Sequence, residues 1–313
     1  MHLLSTLIND WPIPWHAAMA IILTAAGVAA LLYRKRSLNG TTLIAPWWWA
    51  MFSLLAIVAS EVWIGAVLLR HDQISESSYL RHAFAGQLRF LAAATTFCPL
   101  MAVLGAKRPQ DRAWQWIVLS LLITLLLPIA AAMAYRPGRP LDLHAAHRWF
   151  LAILVLMGWL NYLPTGSWFP GLLASTGQAV LLLEHLPLLE RLHAAFDGRQ
   201  DDRPLVGLAL LVTSIVIWAV RQRRRRVVTQ PLDRIWLDFR DLFGAIWALR
   251  VADRFNAAAT MHGWGVWLTW SGVRVNPDPD RPTPEANDAM NDQLRILLRR
   301  FVSPDWIAQR MQR

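Results

Sequence analysis

Along the chain, apolar runs alternate with short polar breaks, and the runs are too long for the core of a soluble domain. A helix needs about 20 apolar residues to cross the hydrocarbon of a bilayer. Seven stretches qualify as expected spans: Trp15–Leu32, Pro46–Leu69, Phe84–Leu104, Trp114–Ala134, Ala145–Leu163, Trp168–Leu186 and Pro204–Val220. Pro164 and Gly166 leave only a tight turn between the fifth and sixth, so a re-entrant pair is the alternative there. The expected fold class is all-α: a polytopic helix bundle over residues 1–226, followed by a small, mainly helical cytoplasmic region over 227–313.

The second run, "LLAIVASEVWIGAVLLRHD", is broken by a single carboxylate, Glu61. An ionised carboxylate in hydrocarbon costs several kcal/mol unless it is paired or neutralised. Glu61 lies eight residues before Leu69, about 12 Å below that end of the helix at ~1.5 Å per residue. Arg89 lies five residues into the next, antiparallel span, about 8 Å deep on the same side. Matched depth on consecutive helices predicts a Glu61–Arg89 ion pair. The competing role for Glu61 is a proton relay or a substrate ligand.

Beyond Arg226 the pattern changes. In "PLDRIWLDFRDLFGAIWALRVADRF", Leu232, Ile235, Phe239, Leu242, Ile246 and Leu249 recur at gaps of three and four, which is an amphipathic helix starting at Pro231. Its apolar stripe, with Trp236, is expected to lie on the membrane surface, pack on the bundle, or dock a partner protein. "MHGWGVWLTWSGVRV" fits a hairpin or an irregular Trp-rich patch. A proline-rich linker, "NPDPDRPTPEAN", precedes two short helices entered through Thr283-Pro284-Glu285 and Ser303-Pro304-Asp305, each with a cap, a first-turn proline and an acid.

Composition agrees with a membrane chain. Of 313 residues, 55% are hydrophobic and 17% charged, against about 25% charged in soluble domains. The 18 Trp outnumber the 4 Tyr and cluster near span ends, where indole prefers to sit. Net charge is +10; the arginines abut apolar spans, so the expected partner is the bilayer and no nucleic acid is expected. Arg34, Lys35 and Arg36 follow the first span, Lys107, Arg108 and Arg112 lie between the third and fourth, and "RQRRRR" follows the seventh. That density predicts an uncleaved first span, the N-terminus outside, the C-terminus cytoplasmic, and residence in a plasma (inner) membrane. "PWWWAM", Pro46 to Met51, then falls at the inner boundary.

Candidate chemistry is sparse. Cys98 is the sole cysteine, so an internal disulfide and CxxC-type sites are excluded. No Walker loop, GxGxxG, HExxH or GxSxG is present, and no residue is nominated as catalytic. Eight of nine histidines fall on the outer side of the expected topology; His144 and His147 share a helix face, and His185 and His193 lie with Glu184 and Glu190 at the mouth of span six. Imidazoles so placed suit a transition metal or haem iron. Three functions follow: a non-catalytic membrane subunit or scaffold whose tail docks a partner, an outer-face metal- or haem-binding protein for electron transfer or cofactor handling, and a small-molecule or ion carrier. The carrier would use Glu61, Asn161 and Gln178, with helix breaks at Pro99 and Pro128. Small residues in span one, Ala25, Ala26, Ala29 and Ala30, would permit close helix contact.

Overall fold

The computed structural model describes residues 13–69, 77–135, 138–189, 202–224, 231–275 and 284–311. The fold is all-α apart from one small hairpin. In chain order the bundle comprises α1 (Ile13–Leu38), α2 (Ile44–Leu69), α3 (Ser77–Thr95), α4 (Cys98–Leu104), α5 (Trp114–Tyr135), α6 (Ala145–Tyr162), α7 (Trp168–Leu181) and α8 (Arg203–Arg224). The tail contributes α9 (Pro231–Met261), the antiparallel hairpin β1 (Val266–Thr269) and β2 (Gly272–Val275), α10 (Pro284–Leu298) and α11 (Pro304–Met311).

Among the described residues, five helical stretches are long and apolar enough to cross a membrane: Trp15–Leu38, Ile44–Ala66, Ala83–Leu104, Trp114–Tyr135 and Arg203–Arg221. The sixth expected span is shorter than its apolar run. α7 has 14 residues, about 21 Å of helix against ~30 Å of hydrocarbon, and the chain then turns through two 3₁₀ segments at Leu183–His185 and Pro187–Leu189.

The third apolar stretch is discontinuous. α3 stops at Thr95, Thr96 and Phe97 form a turn, and α4 restarts at Cys98 with Pro99 in its first turn. Proline has no N–H to give the carbonyl four residues back, so Thr95 O is left open; it accepts the Ser53 hydroxyl at 2.8 Å. Thr96 O accepts Gln178 Nε2 at 2.9 Å. Irregular backbone survives at membrane depth only when neighbours satisfy it in this way. Pro128 behaves differently from the expected break: α5 runs through it without interruption.

Close approach of α7 to α8 depends on two facing glycines. A Cβ on Gly177 would lie 2.9 Å from Gly207 O, and one on Gly207 would lie 2.6 Å from the Leu181 side chain. α1 packs against α2 and α8 through Gly27, whose missing Cβ leaves room for Leu54 and Val212. Of the small residues of α1 expected to permit close helix contact, Ala25, Ala26 and Ala29 are exposed in the single chain.

The tail is not separated from the bundle by its core. One cluster of buried side chains runs from Ala20, Leu31, Trp47 and Leu54 into Phe239, Phe243, Phe255, Leu294 and Trp306. Phe301 sits edge-on to Phe239, Phe243 and Trp247, at 5.2, 5.4 and 4.9 Å between ring centres. Backbone bonds reinforce the join: Thr42 N–H donates to Phe301 O at 2.9 Å, and Ser303 N–H to Gly40 O. At α11 the Ser303 hydroxyl accepts Trp306 N–H at 3.3 Å, the N-cap its sequence advertises.

Candidate functional site

The first part of the tail helix's apolar stripe packs on the bundle, one of its three expected placements, which corrects the reading of these residues as a membrane-surface or partner-facing stripe. Trp236 and Phe239 are fully buried and Leu242 is 4% exposed, all within the chain's own core. Ile246 is half-buried and Leu249 is 53% exposed. The physical reason is Gly244, whose φ of 81° and ψ of −179° break α9 into two segments. Past the break the buried set shifts to Trp247, Ala248, Val251 and Phe255, so the three-four rhythm extrapolated through residue 249 selects the wrong side.

This break is filled from α6. A Cβ at Gly244 would lie 2.2 Å from Asn161 Nδ2. Asn161, 2% exposed, accepts the Ile246 N–H on Oδ1 at 3.2 Å. It therefore caps the restarted helix from another element, serving one of the amides that a helix start leaves open. Its Nδ2 has no hydrogen-bond partner.

Around it, the α6–α7 turn is pinned to α9. Gly166 N–H donates to Asp241 Oδ1 at 2.7 Å, the Ser167 hydroxyl to Asp241 O at 3.1 Å, and Trp270 Nε1 to Pro164 O. Asp241 is 1% exposed and takes Arg240 Nε at 2.9 Å, while Arg240 lies over the Trp270 ring. Nothing singled out Asp241, Arg240 or Gly244 from sequence; a glycine inside a periodic helix was the one available signal.

Immediately above this junction lies a cavity of about 270 Å³. Its walls come from α2 (Pro46 to Ile57), the broken helix (Thr96, Pro99, Leu100, Val103), α6, α7 and α8, and Leu242 of α9 closes one end. Apolar groups dominate. Polar groups are the side chains of Ser53, Thr96, Tyr162, Ser167, Ser175, Gln178 and Ser214, and among the described residues no charged side chain lines it. Most of the donors are already engaged: Ser53 and Gln178 at the helix break, Thr96 on Ala93 O, Ser214 on Pro170 O, Ser167 on Asp241 O. What faces the cavity is therefore hydrocarbon with a few oxygen acceptors. Of the residues nominated for a carrier, Gln178 lines this space; Asn161 serves the adjacent helix break; Glu61 does neither.

Glu61 instead meets Arg89. Nε donates to Oε1 at 3.0 Å and Nη2 to Oε2 at 3.2 Å, a two-pronged pair joining α2 to α3. The Glu61 side chain is 5% exposed and that of Arg89 28%.

The histidine group lies partly within the described residues. His147 and His185 pack against the same phenyl ring, Phe90, at 6.4 and 4.9 Å between ring centres. His144 is exposed at the start of α6, and Glu184 is taken by Arg203 at 3.0 Å. His193 and Glu190, with His2 and His71, lie outside the described residues. Among the described residues no three His, Cys, Asp or Glu side chains group as a metal would require. Cys98 is buried beside the helix break.

Compared with known proteins, the chain matches no family model, no curated protein and no solved structure.

Proposed function

We propose that this is a multi-pass membrane protein that binds a small, uncharged, largely apolar molecule within its helix bundle, as a carrier or as the binding subunit of a larger assembly. The cavity at the discontinuous helix carries this reading. An apolar cavity of ~150 Å³ accommodates benzene, and ligand pockets begin at ~300 Å³, so about 270 Å³ suits a compact molecule of some ten to fifteen heavy atoms. Broken helices beside a cavity are a recurring way to build binding sites inside membranes. With no carboxylate, ammonium or guanidinium in the lining, a charged ligand would enter uncompensated, at a cost of several kcal/mol. Oxygen acceptors favour a ligand bearing one hydroxyl or amide N–H.

In this reading the N-terminus faces outside and the C-terminus lies in the cytoplasm, as the arginine density around α1, α4 and α8 supports. The cavity then opens in the cytoplasmic half, with the tail as its floor. The tail's role is to close the site rather than to display a stripe to another protein, because its stripe is spent on the bundle.

The test is organic extraction and mass spectrometry of the purified full-length protein beside Ala174→Phe, which fills the cavity wall. Expected is a neutral molecule at near-stoichiometric amount in the native protein and its loss in the variant. Equal recovery from both would remove the cavity from the account.

A further inference from the structure

Four cations gather where the bundle meets the tail. Lys107 lies three residues beyond Leu104, the end of the apolar stretch Ala83–Leu104. Arg108 N–H donates to Arg300 O at 2.8 Å, which ties this loop to the turn after α10. Trp247 Nε1 donates to Val103 O at 2.9 Å, fixing α9 against the same helix end. Arg250 lies over the Trp247 ring at 5.0 Å, and Arg254 follows one turn later on the same face. Arg250, Arg254 and Arg300 are exposed and Lys107 is half-buried. The Lys107 ammonium is held below the usual lysine range, first by partial desolvation and then by the guanidiniums of Arg300, Arg254 and Arg250.

Several arginines elsewhere in the described residues are neutralised by a carboxylate. Arg89 has Glu61, Arg203 has Glu184, Arg240 has Asp241 and Arg310 has Asp238. Among the described residues none of the four at this junction pairs with a carboxylate, and Asp253, between Arg250 and Arg254 in sequence, bonds to neither. Like charges held together by backbone bonds, with no acid to offset them, make a site for an anion from outside the chain.

We propose that Lys107, Arg250, Arg254 and Arg300 bind the phosphate of an anionic phospholipid headgroup. The lipid source follows from depth. Lys107 sits one turn past the apolar end of its helix, and the indoles of Trp114 and Trp247 lie at the same helix end, bonded to Met101 O and Val103 O. Headgroup phosphates occupy that level, and basic clusters there attract acidic lipids. The proposal requires only that Ala83–Leu104 crosses a bilayer; it is independent of what the cavity holds.

Native mass spectrometry of the full-length protein in neutral detergent, titrated with phosphatidylglycerol and with phosphatidylcholine, tests it. The native protein should prefer phosphatidylglycerol, and Arg250→Gln/Arg300→Gln should cut that preference by about tenfold or more, given ~1 kcal/mol per basic residue near the surface. Lys107→Gln should cut it by a smaller factor. Arg139→Gln/Arg274→Gln removes the same charge from exposed positions away from this junction and should leave the preference intact. Equal loss in both doubles, or no loss in the first, would overturn the site. If millimolar inorganic phosphate displaces the lipid and binds with the same arginine dependence, the ligand is a soluble anion and the lipid assignment fails. A protein that stays monodisperse with neither lipid nor detergent would instead contradict the spanning helix itself.

Discussion

Two buried ion pairs mark opposite ends of the bundle, and they differ in how they are held. Glu61–Arg89 joins two helices side chain to side chain, and its arginine remains 28% exposed. Arg240–Asp241 is tighter in its surroundings, with side chains 11% and 1% exposed. Asp241 also serves the Gly166 N–H and lies one turn from the Gly244 break. The first pair can be relaxed by turning one long side chain toward the boundary. The second is bound into three backbone segments, so losing it disturbs the floor of the cavity. A buried charge thus matters according to how many backbone groups depend on it, more than according to its own depth.

The largest effect is expected at the junction of the bundle with the tail. Asp241→Ala should lower stability by about 3–5 kcal/mol, the range for stranding a buried charge, measured by thermal unfolding in detergent. Gly244→Ala should approach the same loss, because a Cβ there meets Asn161 at 2.2 Å and φ 81° is a left-handed conformation that disfavours side chains. Glu61→Leu should cost less, about 2 kcal/mol, since Arg89 can reach water. Glu61→Leu/Arg89→Leu should recover most of that, with an interaction energy measured by a double-mutant cycle. A Glu61–Arg89 loss exceeding the Asp241 loss would reverse the comparison.

The Glu61–Arg89 pair was legible in the sequence, and the reason is geometric. Consecutive antiparallel helices share a boundary, so counting residues inward from the loop at ~1.5 Å each gives both depths. The apolar runs and the helix starts at Pro284 and Pro304 were legible for similarly local reasons. The junction at Asp241 and Gly244 was not. It depends on Gly244 adopting positive φ, on Asn161 arriving from a helix more than eighty residues earlier, and on Asp241 reaching a turn at Gly166. None of these contacts has a sequence spacing. The same limit applies to the cavity: Pro99 signalled a break, but only packing brings Ser53 and Gln178 to its open carbonyls.

Smaller effects sharpen the contrast. Ser53→Ala removes the donor that serves Thr95 O at the helix break and should cost about 1–2 kcal/mol, the range for a buried acceptor left open. His147→Phe should be the mildest change. Its buried Nε2 has no hydrogen-bond partner among the described residues, and the ring bonds the Leu125 backbone, so an apolar ring of similar size beside Phe90 trades that bond for the relief of one open nitrogen and should leave unfolding within about 1 kcal/mol of the native protein. A large loss there would show that His147 holds something in the intact membrane, and would return attention to the histidine group.

The central claim is that the space between α2, α4, α6, α7 and α8 receives an uncharged molecule. Its most direct test is the ligand-induced shift in Tm of the full-length protein across matched pairs of small apolar compounds, one neutral and one carrying a carboxylate or ammonium. Binding to the folded state alone raises Tm with ligand concentration. The account predicts concentration-dependent shifts for the neutral members, absent in Ala174→Phe and absent for the charged members. Equal shifts from charged members, or shifts that persist in Ala174→Phe, would contradict it.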